Sequence, residues 1–182
     1  MEYYCLMVKT RGEEKFKKRL EKSFKLAGKD IDVIFFKKKV RDKNNVEREE
    51  PLFKSYVFLA VKAIDLETVS IVKRTEDFYK FLNSNRDIKP LRGTDLEIVS
   101  NLMNFGETQG LSKIYFDEDM HIVVTDGPMA GFLGKIYKVN KRQRRVTVLL
   151  EMFHNQIKFD LGYELVRPDP AYQEKQEKQK KS

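Results

Sequence analysis

The pattern of apolar residues changes near residue 105, and this change constrains the fold more than any other feature of the chain. Before it, apolar residues recur at helical spacing in some segments and form strand-like runs in others. Residues 106–117 contain turn residues and no sustained period, and short alternating runs interrupted by glycine begin after them. We therefore predict a first domain at 1–105, a linker at 106–117 and a second domain at 118–168. The polar tail at 169–182 has no core-forming face and is expected to be disordered.

The first domain is predicted to be α+β, because strand and helix patterns alternate along it. Its longest helix has Phe16, Leu20 and Phe24 on one face, and the apolar segment 55–61 is typical of a central strand covered on both faces. The predicted elements, in chain order, are a strand at 3–8, a helix ending at Gly28, a hairpin with its turn at 42–45, a strand at 55–61, a helix capped by Asp65, a strand at 77–82 and a helix capped by Thr94 with Glu97 at the capping-box position. This order indicates helices packed against a mostly antiparallel sheet.

The second domain is predicted to be a small all-β barrel. Its short runs alternate apolar and polar residues and are separated by polar turns and glycines, a spacing that indicates about five strands. We interpret Gly127, Gly131 and Gly134 as architectural, since glycine permits a positive φ and a close backbone approach. Direct contact of these glycines with a ligand is the alternative.

The chain is basic, with a net charge of +8 at pH 7, and this balance favours a polyanionic partner. Much of the charge in the second domain lies in one stretch that contains six cations and no acid. Because these cations flank a predicted hairpin turn, several can neutralise phosphates together, and a merely solvated turn is the alternative. The candidates are Lys135, Lys138, Lys141, Arg142, Arg144 and Arg145, joined by His154 in the next loop.

No arrangement of residues indicates catalysis. The one cysteine, Cys5, and the two histidines, His121 and His154, do not have the spacing of metal ligands. The sequence also has no GxxxxGK[ST] or GxGxxG loop for nucleotide phosphates. We therefore predict a binding protein that is not an enzyme and has no cofactor or metal. Cys5 lies in a strand-like run, where a buried residue is expected in preference to a nucleophile.

The expected location is the cytoplasm. No apolar run reaches the roughly 18 residues that a membrane span needs, and the first residues do not form a secretory signal. One cysteine permits no intramolecular disulfide, in agreement with a reducing compartment. We expect a monomer without a membrane partner.

The segment IVVTDGPMAGFLGKIYKVNKRQRRVTVLL, 122–150, resembles a KOW motif, the turn-and-strand signature of the NusG family of transcription elongation factors. The first domain resembles the NusG N-terminal domain, with Tyr3 and Tyr4 in an opening aromatic strand and PLFKSYVF at 51–58. That last segment is closer to the form of the specialised paralogue RfaH than to that of NusG itself. The resemblance covers roughly residues 2–168 and implies an SH3-like barrel for the second domain.

The resemblance implies that bacterial RNA polymerase is a partner. In the family, an apolar depression on the N-terminal domain binds the coiled-coil clamp helices of the largest subunit, and Tyr4, Phe53 and Tyr56 match it by position. Core packing is the alternative for each of these aromatic residues. The family also contacts the polymerase gate loop, near the positions of Lys73, Arg74 and Thr75.

The resemblance also bears on nucleic acid. The basic run is similar to that of the LoaP group, whose KOW domain recognises an RNA hairpin in the nascent transcript, whereas plain NusG barrels contact a ribosomal protein or Rho. A ribosome-associated KOW protein that binds RNA is a further alternative. RfaH-type barrels can refold into a helical hairpin, and the β-branched runs HIVV and VTV argue against that here. The residues expected to contact upstream or non-template DNA are Lys37, Lys38, Lys39 and Arg41. A merely solvated hairpin is the alternative for these residues.

Overall fold

The computed structural model of this protein describes residues 1–41, 44, 46–82, 85–152 and 155–167. The tail that was predicted to be disordered lies outside these residues, and so does His154. The elements in chain order are β1 (Glu2–Val8), α1 (Glu13–Leu26), β2 (Asp32–Ile34), β3 (Lys37–Arg41), β4 (Glu47–Pro51), β5 (Tyr56–Val61), α2 (Leu66–Arg74), β6 (Phe78–Phe81), α3 (Gly93–Met103), β7 (Thr108–Gln109), β8 (Ser112–Phe116), β9 (Ile122–Asp126), a 3-10 segment (Pro128–Lys135), β10 (Ile136–Asn140), β11 (Arg145–Met152) and β12 (Asn155–Leu165).

The N-terminal half, residues 1–105, is built on a four-stranded sheet in the order β2-β5-β1-β6. β5 is antiparallel to both of its neighbours, β1 and β2. Because successive strand residues face opposite sides, Val57 and Leu59 pack on one side of the sheet, and Phe58 and Ala60 on the other. The prediction of an α+β fold with a central strand covered on both faces is confirmed.

Helices α1 and α2 cover one face of this sheet. Phe16, Leu20 and Phe24 of α1 are buried there, as their helical spacing predicted. Asp65 caps α2, since its carboxylate accepts a hydrogen bond from the Thr68 backbone N–H at 2.7 Å. This confirms the predicted cap.

Helix α3 packs on the opposite face and begins differently from the prediction. Its N-cap is Arg92, which makes no side-chain cap hydrogen bond, and not Thr94. The backbone N–H of Leu91 donates to the Tyr3 carbonyl at 2.7 Å, so the chain is tied to the sheet immediately before the helix starts. The Thr94 capping box was therefore wrong because a tertiary hydrogen bond sets the start of α3.

Residues 106–117, predicted as a linker, contain two strands. β7 pairs in parallel with β3, which also pairs with β4, and β8 pairs with β9 and β12. Glu107 links this segment to the N-terminal half. Its carboxylate accepts hydrogen bonds from Lys17 Nζ at 2.5 Å and from the Phe35 backbone N–H at 3.3 Å. The segment is thus bound along much of its length.

The barrel, residues 112–165, contains a five-stranded sheet in the order β10-β11-β12-β8-β9. The number of strands agrees with the prediction, but β8 lies in the segment that was predicted to be a linker. On β11, Val146, Val148 and Leu150 are buried while the residues between them are not, which gives the sheet one apolar face. Gly127 has a φ of 99°, and a Cβ there would lie 2.7 Å from the Ser112 Cα. Its architectural role follows from that contact.

The barrel packs directly on the N-terminal half. Phe53 lies edge-on to Phe159 of β12 with the ring centroids 5.4 Å apart, and Phe159 in turn contacts Phe132 at 5.7 Å. Apolar residues of α3, β5 and the barrel form one continuous core, which includes Cys5 at 2% exposure. Burial raises the pKa of the Cys5 thiol well above its ordinary value, in keeping with the predicted structural role.

Candidate nucleic-acid and partner interface

The basic run extends from the end of the 3-10 segment to the start of β11 and contains the hairpin turn between β10 and β11. Asn140 fixes this turn, since its Oδ1 accepts from the Gln143 backbone N–H at 3.0 Å and its amide donates to Gln143 Oε1 at 3.1 Å. Arg144 has a φ of 49°, in the left-handed region, and its backbone N–H donates to the Lys141 carbonyl at 3.3 Å. The turn therefore presents its side chains from a defined backbone.

Four cations of this run are exposed and have no carboxylate within ion-pair distance among the described residues. These cations are Lys135, Lys138, Arg142 and Arg144. A fifth, Lys141, lies with its Nζ 4.6 Å from the centre of the Phe116 ring. Positive charge that no acid offsets attracts phosphate, so this cluster, hereafter the basic turn, is the strongest candidate nucleic-acid surface among the described residues.

Arg145, the sixth cation of the run, has a different environment. Its side chain is 19% exposed, and its Nη2 lies 3.7 Å from the Glu50 Oε1 of β4. The residue begins β11 on the side opposite the apolar face, and Glu50 of the N-terminal half lies beside it there. Arg145 therefore lines the contact between the two halves and is not grouped with the basic turn.

A shallow groove beside the basic turn contains an exposed aromatic ring. Tyr137 is 59% exposed, and Lys158 Nζ of β12 lies 4.3 Å from its ring centre. The groove has a volume of about 550 Å³, and its lining also includes Lys135 and Thr94 of α3. Lys158 was not among the residues predicted from the sequence, although strand alternation on β12 places its side chain on the side that faces away from the barrel core.

The hairpin cations proposed to contact DNA are mostly neutralised by the neighbouring strand. Lys37 Nζ lies 2.6 Å from Glu49 Oε2, Lys39 Nζ lies 2.9 Å from Glu47 Oε1, and Arg41 Nε lies 4.0 Å from Glu47. The hydrogen bonds to these carboxylates raise the pKa of both lysines, and the one from Lys39 lowers the pKa of Glu47. Phosphates would have to compete with these carboxylates.

Lys38 lies between these two lysines on β3 and faces the other way. It is 7% exposed and lines the contact with the barrel, whereas its neighbours face outward. Burial lowers the pKa of its ammonium. The nearby charges of Asp160 and Glu50 raise this pKa, but their effect is smaller than that of burial. Lys38 is therefore not available to DNA in this arrangement.

The three aromatic residues matched to the clamp-helix site differ in exposure. Tyr4 is 3% exposed beneath α1, and its hydroxyl donates a hydrogen bond to Glu2 Oε2 at 2.8 Å. Burial, and after it this hydrogen bond, raises the pKa of Tyr4 to about 12. Phe53 is 2% exposed and is covered by the barrel. Tyr56 is half-buried at the mouth of the cleft beside them. Of the three, Tyr56 is the one that a partner can reach without rearrangement.

The residues matched to the gate-loop contact lie at the end of α2. Lys73 and Arg74 are exposed and donate to the carbonyls of Asn85 at 3.0 Å and Ser70 at 3.3 Å. The Thr75 hydroxyl donates to the Ile71 carbonyl at 2.9 Å. The helix ends at Arg74, and both cations remain exposed.

With the geometry described, the chain can be compared with known proteins. The sequence model of the family described as "Transcription termination factor nusG" matches residues 1–100, which is more than half of the chain. The chain belongs to the NusG family. The match contains the residues that were predicted to contact RNA polymerase and ends before the basic turn.

Other members of the NusG family are similar over larger parts of the chain. A protein of Rickettsia typhi named "Transcription termination/antitermination protein NusG" is 26% identical over 135 residues, 74% of this chain and 69% of that protein. The protein of the same name from Thermus thermophilus is 25% identical over 181 residues, 91% of this chain and 97% of its own. The solved structure titled "Domain interaction in Thermotoga maritima NusG" has a TM-score of 0.59 at 20% identity and covers 88% of this chain and 93% of that one. This likeness supports the fold.

In the described part of this NusG-family chain, no group of three or more His, Cys, Asp or Glu side chains is placed to hold a metal ion. None of the helices there is both long and apolar enough to cross a membrane.

Proposed function

We propose that this protein is a transcription elongation and antitermination factor that binds RNA polymerase through its N-terminal half and nascent RNA through the basic turn. The observation that carries the proposal is the basic turn itself: exposed cations that have no carboxylate partner among the described residues, beside the exposed ring of Tyr137, on a chain of the NusG family. Guanidinium groups pair with phosphates, and aromatic rings stack on unpaired bases, so this combination suits structured RNA with splayed nucleotides.

The polymerase contact follows from the family and the position of PLFKSYVF. We infer that Tyr56 and the ring of Phe53 bind the clamp helices of the largest subunit, and that Lys73, Arg74 and Thr75 lie towards the gate loop. A helix bound in a groove needs aromatic anchors, which dominate the energy of such interfaces. Because Phe159 covers Phe53 here, full use of this surface requires the barrel to move aside.

Contact with DNA through the β3–β4 hairpin is a weaker part of the proposal. The ion pairs of Lys37 and Lys39 with Glu49 and Glu47 reduce the charge that this hairpin offers to phosphates. DNA would therefore add less to binding than RNA does.

A second candidate is a general NusG-type role in which the barrel binds a protein such as Rho or a ribosomal protein. The names of the relatives, which combine termination and antitermination, favour it. A ribosome-associated RNA-binding role is favoured by no feature of the N-terminal half. The specialised LoaP-like role differs from the general one in requiring RNA to bind the basic turn directly.

The test is binding of the full chain to a hairpin RNA across a salt series. The variant Lys138→Ala/Arg142→Ala/Arg144→Ala should bind more weakly and reduce the slope of log K against log salt by about 2, since each phosphate contact contributes roughly 0.7 to 0.9. The control with the same loss of charge, Lys22→Ala/Lys25→Ala/Lys62→Ala, changes exposed cations of the N-terminal half and should bind as the wild type does.

Equal loss of affinity in both triple variants would show that only net charge matters and would refute a specific RNA surface. No RNA binding by the wild type would favour the general role with a protein partner.

A further inference from the structure

A cleft of about 800 Å³ separates β3 and β4 of the N-terminal half from β12 of the barrel. Four cations line it, two from each half, together with two carboxylates, so the lining carries an excess of two positive charges. Tyr56 and Phe53 supply an aromatic wall. The charged residues are Lys38, Lys54, Arg145, Lys158, Glu50 and Asp160.

Lys38 is the most deeply buried of these cations. It is 7% exposed, and among the described residues its Nζ has no carboxylate oxygen within ion-pair distance. Its neighbours on the strand, Lys37 and Lys39, each have such a partner at under 3 Å. A largely buried lysine without a close anion is unfavourable, and this one lines open volume.

Arg145 approaches the same volume from the barrel. Its Nε is buried and has no hydrogen-bond partner among the described residues. Its Nη2 is 3.7 Å from Glu50, longer than the 2.7–2.9 Å or so of a direct charge-assisted hydrogen bond. The guanidinium therefore keeps donors that an oxygen-rich anion can accept.

We propose that this cleft binds the phosphate group of a small phosphorylated ligand of nucleotide size, held between Lys38 of the N-terminal half and Arg145 of the barrel. A phosphate dianion matches the two excess positive charges, and arginine holds phosphate oxygens with paired hydrogen bonds. The volume falls in the range of small-molecule sites, roughly 300–1,000 Å³. Tyr56 and Phe53 border the space left for the non-phosphate part.

Such a ligand contacts both halves at once. It therefore binds best when the barrel lies against the N-terminal half, and it stabilises that arrangement in proportion to its binding. A small phosphorylated molecule would thus keep Phe53, which lines the same cleft, covered by the barrel and less accessible to a partner. None of the four exposed cations of the basic turn, Lys135, Lys138, Arg142 and Arg144, lines this cleft.

The experiment is calorimetric titration of the full chain with inorganic phosphate and with ADP, against chloride at matched ionic strength. We expect saturable binding of both ligands at one site, tighter for ADP. Lys38→Met and Arg145→Met should each weaken it by at least about tenfold, because each removes a charged hydrogen-bond donor. The controls Lys39→Met, the strand neighbour with its own carboxylate, and Arg142→Met on the basic turn should leave both affinities unchanged.

Three results would overturn the proposal. These are absence of binding above the chloride control, binding that survives both cleft variants, and loss of binding in Arg142→Met. A short oligonucleotide that binds through Lys38 and Arg145 while phosphate and ADP do not would equally reject a small-molecule site. Circular dichroism and the unfolding midpoint show whether each variant is folded, and Arg145→Lys, which keeps the charge but not the paired donors, should give an intermediate affinity.

Discussion

The charge pairs around α2 show how single residues stabilise this fold. Asp65 accepts from the Thr68 backbone N–H at 2.7 Å and from Lys29 Nζ at 2.7 Å, and Lys29 also lies 3.0 Å from Glu67. The hydrogen bond from Lys29, followed by those from Thr68, holds the pKa of Asp65 well below its ordinary value. The bond to Asp65 in turn raises the pKa of Lys29.

Replacement of Asp65 by alanine should lower the stability of the protein in a pH-dependent way. A carboxyl whose native pKa is lowered stabilises the fold above its ordinary pKa of about 3.9, and this contribution is lost as the pH falls towards the native value. The difference in urea midpoint between wild type and Asp65→Ala should be full at neutral pH and shrink below about pH 4. A difference that is the same at both pH values would show that the ionised carboxylate contributes nothing.

At this scale the sequence predicted much of the structure but little of the site. The Asp65 cap and the buried face of α1 follow from local spacing, so both were predicted correctly. The orientation of Arg145 and the burial of Phe53 depend on a surface contributed by residues a hundred positions away, and no local pattern encodes it. Strand alternation predicts that Lys38 faces the opposite side of β3 from Lys37 and Lys39. It does not predict which of the two sides the barrel covers.

At the scale of elements, the contact of β12 with β3 depends on Gly162. A Cβ at this position would lie 2.9 Å from the Lys39 carbonyl oxygen and 2.5 Å from Leu111 Cδ2. The leucine can shift, but the carbonyl belongs to the paired strand β3 and cannot move without loss of ladder hydrogen bonds. Two sheets can therefore approach here only because residue 162 has no side chain.

Gly162→Ala should destabilise the protein by about 1–3 kcal/mol, the usual effect of overpacking. The matched control is Gly131→Ala, where the nearest atom to a new Cβ is 3.7 Å away, an ordinary contact. Chemical denaturation of both variants measures the free energy of unfolding. Equal stability of the two would contradict the close packing of β12 on β3.

Element types were predicted wherever the period is local, and the misses occur where tertiary bonds decide. The segment 106–117 has no period of its own, and its strands exist because β3, β9 and β12 offer partners. The start of α3 is set by the hydrogen bond from Leu91 to Tyr3. Tyr3, β3 and β12 are distant in sequence from the residues that they pair with, so they leave no local signal there.

At the scale of the whole molecule, the barrel covers part of the surface proposed for RNA polymerase. Phe53 is enclosed by Phe159, while Tyr56 remains half-buried at the edge of the same surface. The basic turn consists of other residues, at and around the hairpin between β10 and β11. The two proposed binding surfaces share no residue.

The central claim, that the N-terminal half binds RNA polymerase, is tested most directly by equilibrium binding of the full chain to bacterial core polymerase. Wild type should bind, and Tyr56→Ala should weaken binding by at least about tenfold, as expected for an aromatic anchor. The control Tyr79→Ala, which removes an exposed tyrosine of β6 at 56% exposure, should bind as the wild type does. No binding by the wild type, or equal binding by all three proteins, would contradict the account.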